Sequence, residues 1–179
     1  MRWIASACIR CIPALALGLV ACSGGDQPSV SALSFAGVTG YGPANAIIQT
    51  GYSEKELGAD SFRVRARGSA VTPPERLEQI ALARAAEIGV EQKRKFFKAS
   101  AASHSVVCED GKTLPHGQTL PVKAPVAEID VVYAKVQPDP SYLPAAETFA
   151  KLTQELAQQT VDAGTKSASA AAVAAKCGK

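Results

Sequence analysis

The sequence predicts an α+β domain in two layers, in which an antiparallel sheet of about four strands is packed by one long helix and one C-terminal helix. Three observations lead there. Ser61–Gly68 alternates apolar and basic residues with a strict period of two, Thr72–Lys93 carries apolar residues at helical spacing, and Glu128–Val136 is rich in β-branched and aromatic residues. The predicted order is strand, strand, helix, strand, strand, helix.

The first strands flank a turn. Asn45–Thr50 predicts a short strand, and Ser53 with Glu56 three residues later predicts a capping box that starts a turn or a very short helix before Gly58. Ser61–Gly68 is the clearest strand, with one apolar face and one basic face. The apolar face holds Phe62, Val64 and Ala66, and the basic face holds Arg63, Arg65 and Arg67.

The long helix has a strong start signal. Thr72 fits an N-cap, Pro73 the first helical position and Glu75 the capping box, so we expect a helix to about Lys93. Gly89 within it leaves room for close packing by another element. One face of the predicted helix carries Leu77, Ile80, Ala81, Arg84, Ala85 and Ile88.

The C-terminal half continues with strand, strand and helix. Lys95–Cys108 predicts a strand of small residues, Glu109–Pro125 a loop, and Glu128–Val136 a central strand that is apolar in part on both faces. Pro144–Val161 predicts an amphipathic helix, and Gly164 stands where a C′ residue would follow it.

The N-terminus has the parts of a secretory signal. Arg2 and Arg10 supply positive charge, and the apolar run Ile12–Val20 is too short for a membrane span. The following Leu-Val-Ala-Cys resembles the lipobox of bacterial lipoproteins. That resemblance implies cleavage before Cys22 and lipidation of its thiol and new amino group. It also implies the outer membrane as destination, since Ser23 stands where aspartate would retain the protein at the inner membrane.

The chain then divides into four parts. Residues 1–21 are the predicted signal, 22–40 a lipidated N-terminus with a flexible Ser/Gly-rich tether, 41–164 the α+β domain, and 165–179 an Ala/Ser-rich tail. Cleavage would lower the net charge from +3 to +1. That near-neutral balance removes most of the case for nucleic-acid binding.

Part of the domain resembles a family of small bacterial lipoproteins of unknown function. The shared segments are Gly51-Tyr52-Ser53, Phe62-Arg63-Val64 before Gly68, Arg84-Ala85-Ala86-Glu87, and Phe96-Phe97, over roughly residues 41–107. The family often has a glycine before the aromatic strand, where this chain has Lys93, Arg94 and Lys95. The resemblance implies an envelope lipoprotein with a β-α-β core and no particular activity.

Two thiols remain if Cys22 is lipidated. In an oxidising compartment Cys108 and Cys177 are expected to form a disulfide that pins the tail to a strand; the alternative is two free thiols. The segment His104, Cys108, Asp110, His116 matches no compact zinc spacing, and we expect no metal or other cofactor. The Cys8-x-x-Cys11 pair lies in the predicted signal and carries no weight.

The arginines leave alternatives open. Three alternatives stand for Arg84. It extends to the domain edge or pairs with Glu87 or Glu91 on its own helix, it pairs with a strand carboxylate such as Asp130, or it binds a ligand. The row Arg63, Arg65 and Arg67 is either a solvated sheet face or a contact for anionic lipid headgroups.

No catalytic residue is predicted, because the chain lacks the motifs of common hydrolases and nucleotide-binding enzymes. The expected function is therefore a lipid-anchored envelope protein with a binding or structural role. Its partners would be the membrane through its lipid, and envelope proteins or anionic lipid. The alternative is a small periplasmic enzyme or ligand carrier, which a deep pocket with convergent polar groups would favour.

Overall fold

The structure is a computed structural model that describes residues 37–44, 49–108 and 123–178. Within these residues it is an α+β protein with an open antiparallel sheet of six strands and three helices. The strands are β1 (Gly51–Gly58), β2 (Ser61–Arg67), β3 (Phe96–Ala99), β4 (Ser103–Cys108), β5 (Lys123–Ala134) and β6 (Leu143–Pro144). The helices are α1 (Pro74–Glu91), α2 (Ala145–Gln158) and α3 (Ala163–Cys177).

The sheet is organised around β5. One edge of β5 pairs with β2, which forms a hairpin with β1, and the other edge pairs with β4 and then β3; β6 pairs with the far side of β3. All of these pairs are antiparallel. The expected central position of this strand is confirmed, although β5 begins at Lys123 rather than Glu128 and ends at Ala134.

The six described strands differ from the expected four in three places, and the predicted strand Asn45–Thr50 is not among them. The two-residue strand β6, which pairs with β3, was not predicted. The predicted strand Lys95–Cys108 is interrupted at residues 100–102, where it has one residue more than the facing stretch of β5, and the extra residue forms a bulge. The segment predicted to start a turn or short helix at Ser53 and Glu56 is strand β1 instead. Its side chains from Ser53 onward are exposed, so burial imposes no apolar alternation that would mark it as a strand.

Helix α1 covers the apolar face of the sheet. Leu77, Ile80, Ala81 and Ala85 are fully buried against it, which confirms the predicted apolar stripe. The predicted capping box is wrong: Pro73 is the N-cap and Pro74 the first helical residue. The Thr72 hydroxyl instead bonds Thr39 and Ser69.

Helix α2 packs mainly on α1. A Cβ at Gly89 would lie 2.8 Å from the Ala145 Cβ, so the glycine permits the close approach expected of it. The Tyr133 hydroxyl donates to the Ala85 carbonyl over 2.7 Å and joins β5 to α1. The helix is shorter than predicted and ends at Gln158.

The residues predicted as an Ala/Ser-rich tail form helix α3. Asp162 is its N-cap and accepts a hydrogen bond from the Thr165 amide over 2.9 Å, so Gly164 lies in the first turn and is not a C′ residue. Among the three described helices, none is both long enough and apolar enough to cross a membrane. The predicted strand Asn45–Thr50 lies mostly outside the described residues, and its last two residues are not in a strand.

Candidate functional site

The segment Gly37–Ala44 brings the chain into the domain, and a buried polar cluster holds its first residues. The Thr39 amide donates to the Thr72 hydroxyl over 3.0 Å, and the Ser69 amide donates to the Thr39 hydroxyl over 2.9 Å. Ser69 in turn donates through its hydroxyl to the Gly37 carbonyl over 2.7 Å. These contacts fasten the N-terminal side of the domain to the loop before α1.

Arg76 extends this cluster to α2. Its guanidinium donates to the Thr39 carbonyl at 2.9 Å, the Leu156 carbonyl at 3.1 Å and the Gln159 side chain at 2.7 Å. Burial lowers the pKa of Arg76. The Leu156 carbonyl lies in the last turn of α2, where no intrahelical donor remains, so the arginine stabilises the helix end.

A second cluster follows at Tyr41. Its hydroxyl donates to the Glu87 carboxylate over 2.6 Å, and the same carboxylate accepts from Arg84 over 2.7 Å. The Tyr41 and Tyr52 rings lie 5.0 Å apart, and the Arg84 guanidinium lies 5.0 Å from the Tyr52 ring centroid. The cluster joins the incoming chain, β1 and α1.

Arg84 is held by three carboxylates. It contacts Glu54 on β1 at 2.8 Å, Glu87 at 2.7 Å and Glu91 at 2.9 Å, and all three guanidinium nitrogens are engaged. The sequence suggests Glu87 and Glu91 as partners of Arg84, and the structure shows both contacts. The strand carboxylate is Glu54 and not Asp130, because Asp130 lies on the opposite face of the sheet, where Arg63 binds it.

The electrostatics of the cluster favour a structural role. Burial alone would raise the pKa of Glu87, but the hydrogen bonds from Tyr41 and Arg84 outweigh it and hold that pKa below its usual value. Burial, reinforced by Glu87, raises the pKa of Tyr41. Burial would lower the pKa of Arg84, yet its hydrogen bonds to the carboxylates raise it. At neutral pH Glu87 and Arg84 are thus held in their charged forms and Tyr41 in its neutral form, so the hydrogen bonds that join the three residues persist.

The predicted basic row lies on the face of the sheet opposite α1. Arg63 donates two hydrogen bonds to the Asp130 carboxylate, over 2.7 and 2.9 Å. These hydrogen bonds lower the pKa of Asp130. Arg65 stands opposite Glu128 on β5 and is exposed, while Arg67 stands opposite Val126. Among the described residues, the register places five cations and two carboxylates on this face. The cations are Lys55, Arg63, Arg65, Arg67 and Lys98, and the carboxylates are Glu128 and Asp130.

The predicted pairing of Cys108 with Cys177 is confirmed. The two residues form a disulfide with their Cα atoms 5.5 Å apart, which joins the end of β4 to the end of α3. Val173 is the one buried residue of α3, so the covalent bond is a main attachment of this helix.

A cavity of about 270 Å³ lies between α3, the β4–β5 ladder and the start of α1. Most of its exposed surface is apolar, from residues that include Val106, Pro125, Val126, Ala172 and Val173. Six polar residues also line it: Thr72, Glu75, His104, Ser105, Ser169 and Lys176. At its rim His104 bonds the Glu78 carboxylate over 2.5 Å.

Of the four residues considered for a metal, the two that the structure describes have other partners. Cys108 is in the disulfide, His104 pairs with Glu78, and Asp110 and His116 lie outside the described residues. Cys22 also lies outside them. Across residues 37–44, 49–108 and 123–178, no group of three metal-ligating side chains is present.

Sequence reasoning missed several of these features. Tyr41, Glu54 and Arg76 carried no local signal, because each acts through a partner more than 25 residues away. Tyr52 belongs to the Gly-Tyr-Ser segment, but the residues directly after it were predicted to form a turn or a very short helix. The cavity depends on where α3 packs, which no periodicity in the Ala/Ser-rich segment indicates.

The fold defines the class of protein: an α+β protein with helix α1 packed on one face of an open antiparallel sheet and a disulfide-held C-terminal helix. Comparisons with known proteins do not narrow the class, since no protein-family model, curated protein or solved structure matches the chain.

Proposed function

We propose that this chain is a lipid-anchored protein of the bacterial outer membrane, facing the periplasm, with a binding or structural role and no catalysis. The observation that carries the proposal is the Cys108–Cys177 disulfide, which requires an oxidising compartment. It agrees with a lipobox ending at Cys22, fifteen residues before the described domain begins at Gly37.

The anchor is tested by intact mass of the full chain recovered from bacterial membranes. We expect the mass of residues 22–179 with a diacylglyceryl group and an amide-linked acyl chain. Cys22→Ser should abolish the lipid and the membrane association. Cys8→Ser and Cys11→Ser are matched controls that lie in the predicted signal and should change neither. A mature chain with a free thiol at Cys22 would contradict the proposal.

The destination is tested separately. Ser23→Asp should move the lipidated protein to the inner membrane fraction on a density gradient, since aspartate at that position is the usual retention residue in bacterial lipoproteins. Ser23→Thr, which keeps a small hydroxyl residue there, should leave it in the outer membrane fraction. An unchanged distribution of the aspartate variant would count against the assigned destination.

We also propose that the sheet face opposite α1 contacts anionic lipid headgroups through its exposed residues. Two guanidinium nitrogens of Arg67 are buried, so the accessible charges on the described part of this face are four cations against two carboxylates. Their net charge is about +2, although the chain after cleavage carries only +1. Val132 on the same face is 48% exposed and adds an apolar contact. A protein tethered to a membrane gains from such an attraction because each basic residue near an anionic surface contributes ~1 kcal/mol.

The test uses exposed cations, so that folding is spared. Arg65→Glu with Lys98→Glu should weaken sedimentation of the unlipidated Cys22→Ser protein with vesicles containing phosphatidylglycerol, and more at low salt than at high salt. The matched control is Lys151→Glu with Lys166→Glu, which makes the same charge change on α2 and α3. Equal binding by both pairs would refute a role for the sheet face.

A further inference from the structure

The cavity beneath α3 lies directly beside the point where the chain enters the domain. Thr72 is fully buried, forms part of the cavity wall, and accepts the hydrogen bond from the Thr39 amide over 3.0 Å. Two residues earlier the Gly37 carbonyl accepts from Ser69. The N-terminal segment therefore leaves the described domain at the edge of the cavity.

Covalent geometry allows Cys22 to come back to this cavity. Fifteen peptide units separate Cys22 from Gly37, and they span at most about 50 Å when fully extended. A tether of this length keeps whatever is attached to Cys22 at an effective concentration in the millimolar range around the domain. A group attached to Cys22 can therefore reach the cavity as often as a free ligand at a millimolar concentration would.

The size and chemistry of the cavity suit a hydrocarbon chain. A dry apolar cavity of about 150 Å³ admits benzene, so 270 Å³ gives room for ~10 carbon atoms. The side of α3 that faces the cavity is built from small residues such as Ser169 and Ala172, which leave the space open. The helix is attached to β4 by the disulfide at its C-terminal end and packs through Val173, and it covers the cavity as a roof.

We propose that this cavity receives part of an acyl chain from the protein's own lipid on Cys22 whenever that chain is outside the membrane. The inference rests on the proposed lipidation. An apolar chain exposed to water between membranes would otherwise promote aggregation, and the cavity shields about half of one chain. In a bilayer the chain has an equally apolar environment, so the cavity is vacated without penalty.

The experiment uses the full chain, produced in bacteria fed a palmitate analogue that carries a photoreactive diazirine. The lipidated protein is diluted below the critical micelle concentration of its detergent and irradiated. Light expels N₂ from the diazirine, and the resulting carbene inserts into a nearby C–H bond, which leaves a covalent link that mass spectrometry locates. We expect links from the Cys22 lipid to peptides of β4, β5 or α3.

Variants establish the site. Ala172→Phe fills the cavity and should lower the yield of these links at least five-fold. Ala171→Phe is the matched control, since residue 171 is exposed and lies on the opposite side of α3, and it should leave the yield unchanged. Ser169→Phe enters the same cavity and serves as the second filling variant if Ala172→Phe does not keep its disulfide.

The outcomes separate the two proposals. An intact mass without lipid would overturn the lipid anchor itself. Lipid at Cys22 with links scattered over the surface, or links unaffected by both filling variants, would leave the anchor standing and overturn the cavity assignment. Adducts of phospholipid mass on the cavity peptides of the Cys22→Ser protein would show that membrane lipid is the occupant, which also overturns it.

Discussion

Removing the disulfide should release α3 while the rest of the domain stays folded. The perturbation is Cys108→Ser with Cys177→Ser, which leaves no free thiol behind. Val173 is the only buried residue of α3, and burying one valine contributes ~2 kcal/mol. An isolated helix of about 15 residues is marginal in water even when rich in alanine, so this contact alone cannot hold α3 against its conformational entropy.

The magnitude for the whole domain follows from the loop that the bond closes. The cysteines are 69 residues apart, and the chain-entropy relation gives a stabilisation of about 4 kcal/mol against complete unfolding. The double variant should therefore unfold at a lower urea concentration. Its m-value should also fall, because α3 no longer contributes buried surface.

Amide hydrogen exchange read by mass spectrometry separates the local effect from the global one. Peptides covering residues 163–177 should exchange at nearly the rate of unstructured chain, while peptides of α1 stay protected in native buffer. The Cys22→Ser protein with the disulfide intact is the reference. Unchanged protection of α3 in the double variant would refute the reasoning, since packing would then suffice without the bond.

Three further predictions concern the polar clusters and the helix contact. Glu87→Gln should destabilise the protein at pH 7. Because the pKa of Glu87 is lower in the folded than in the unfolded protein, its stabilising contribution is present above the unfolded pKa near ~4.3 and is lost on acidification. The urea midpoints of variant and wild type should therefore converge below about pH 4, and a parallel decline of both midpoints would contradict this. Gly89→Ala should lower the free energy of unfolding by ~1 kcal/mol. The new Cβ would lie 2.8 Å from the Ala145 Cβ, and this overpacking outweighs the gain in helix propensity. A rise in the thermal midpoint would contradict the close approach of the two helices. Arg76→Met should lower the free energy of unfolding in urea by about 3 kcal/mol, because it leaves two buried carbonyls, those of Thr39 and Leu156, without donors. A decrease below ~1 kcal/mol would argue that water replaces the guanidinium.

Elements with a strong local period were predicted closely. The alternation in Ser61–Gly68 places Phe62 and Val64 in the core and Arg63 and Arg65 on the other face. The apolar stripe of α1 is likewise buried as expected. In both, each side chain's position follows from its own element and from one buried face.

Other elements carried no such signal. Strand β1 is an edge strand with exposed charges, and its pairing to β2 is set by backbone hydrogen bonds that do not depend on side-chain type. The bulge that separates β3 from β4 depends on the register of β5, more than 25 residues further along the chain. Thr72 reads as a cap by its neighbours, yet the Thr39 backbone competes for its hydroxyl.

The sequence by itself determined the α+β class, the two main helices, the basic row and the disulfide, because these depend on periodicity or on the few cysteines present. Only the tertiary structure decided that Arg84 joins Glu54, that Arg76 closes α2, and that α3 covers an apolar cavity beside the entry of the chain. The physical reason is the range of the interactions. Period and capping act within a few residues, whereas these contacts exist only after distant segments have been packed against one sheet.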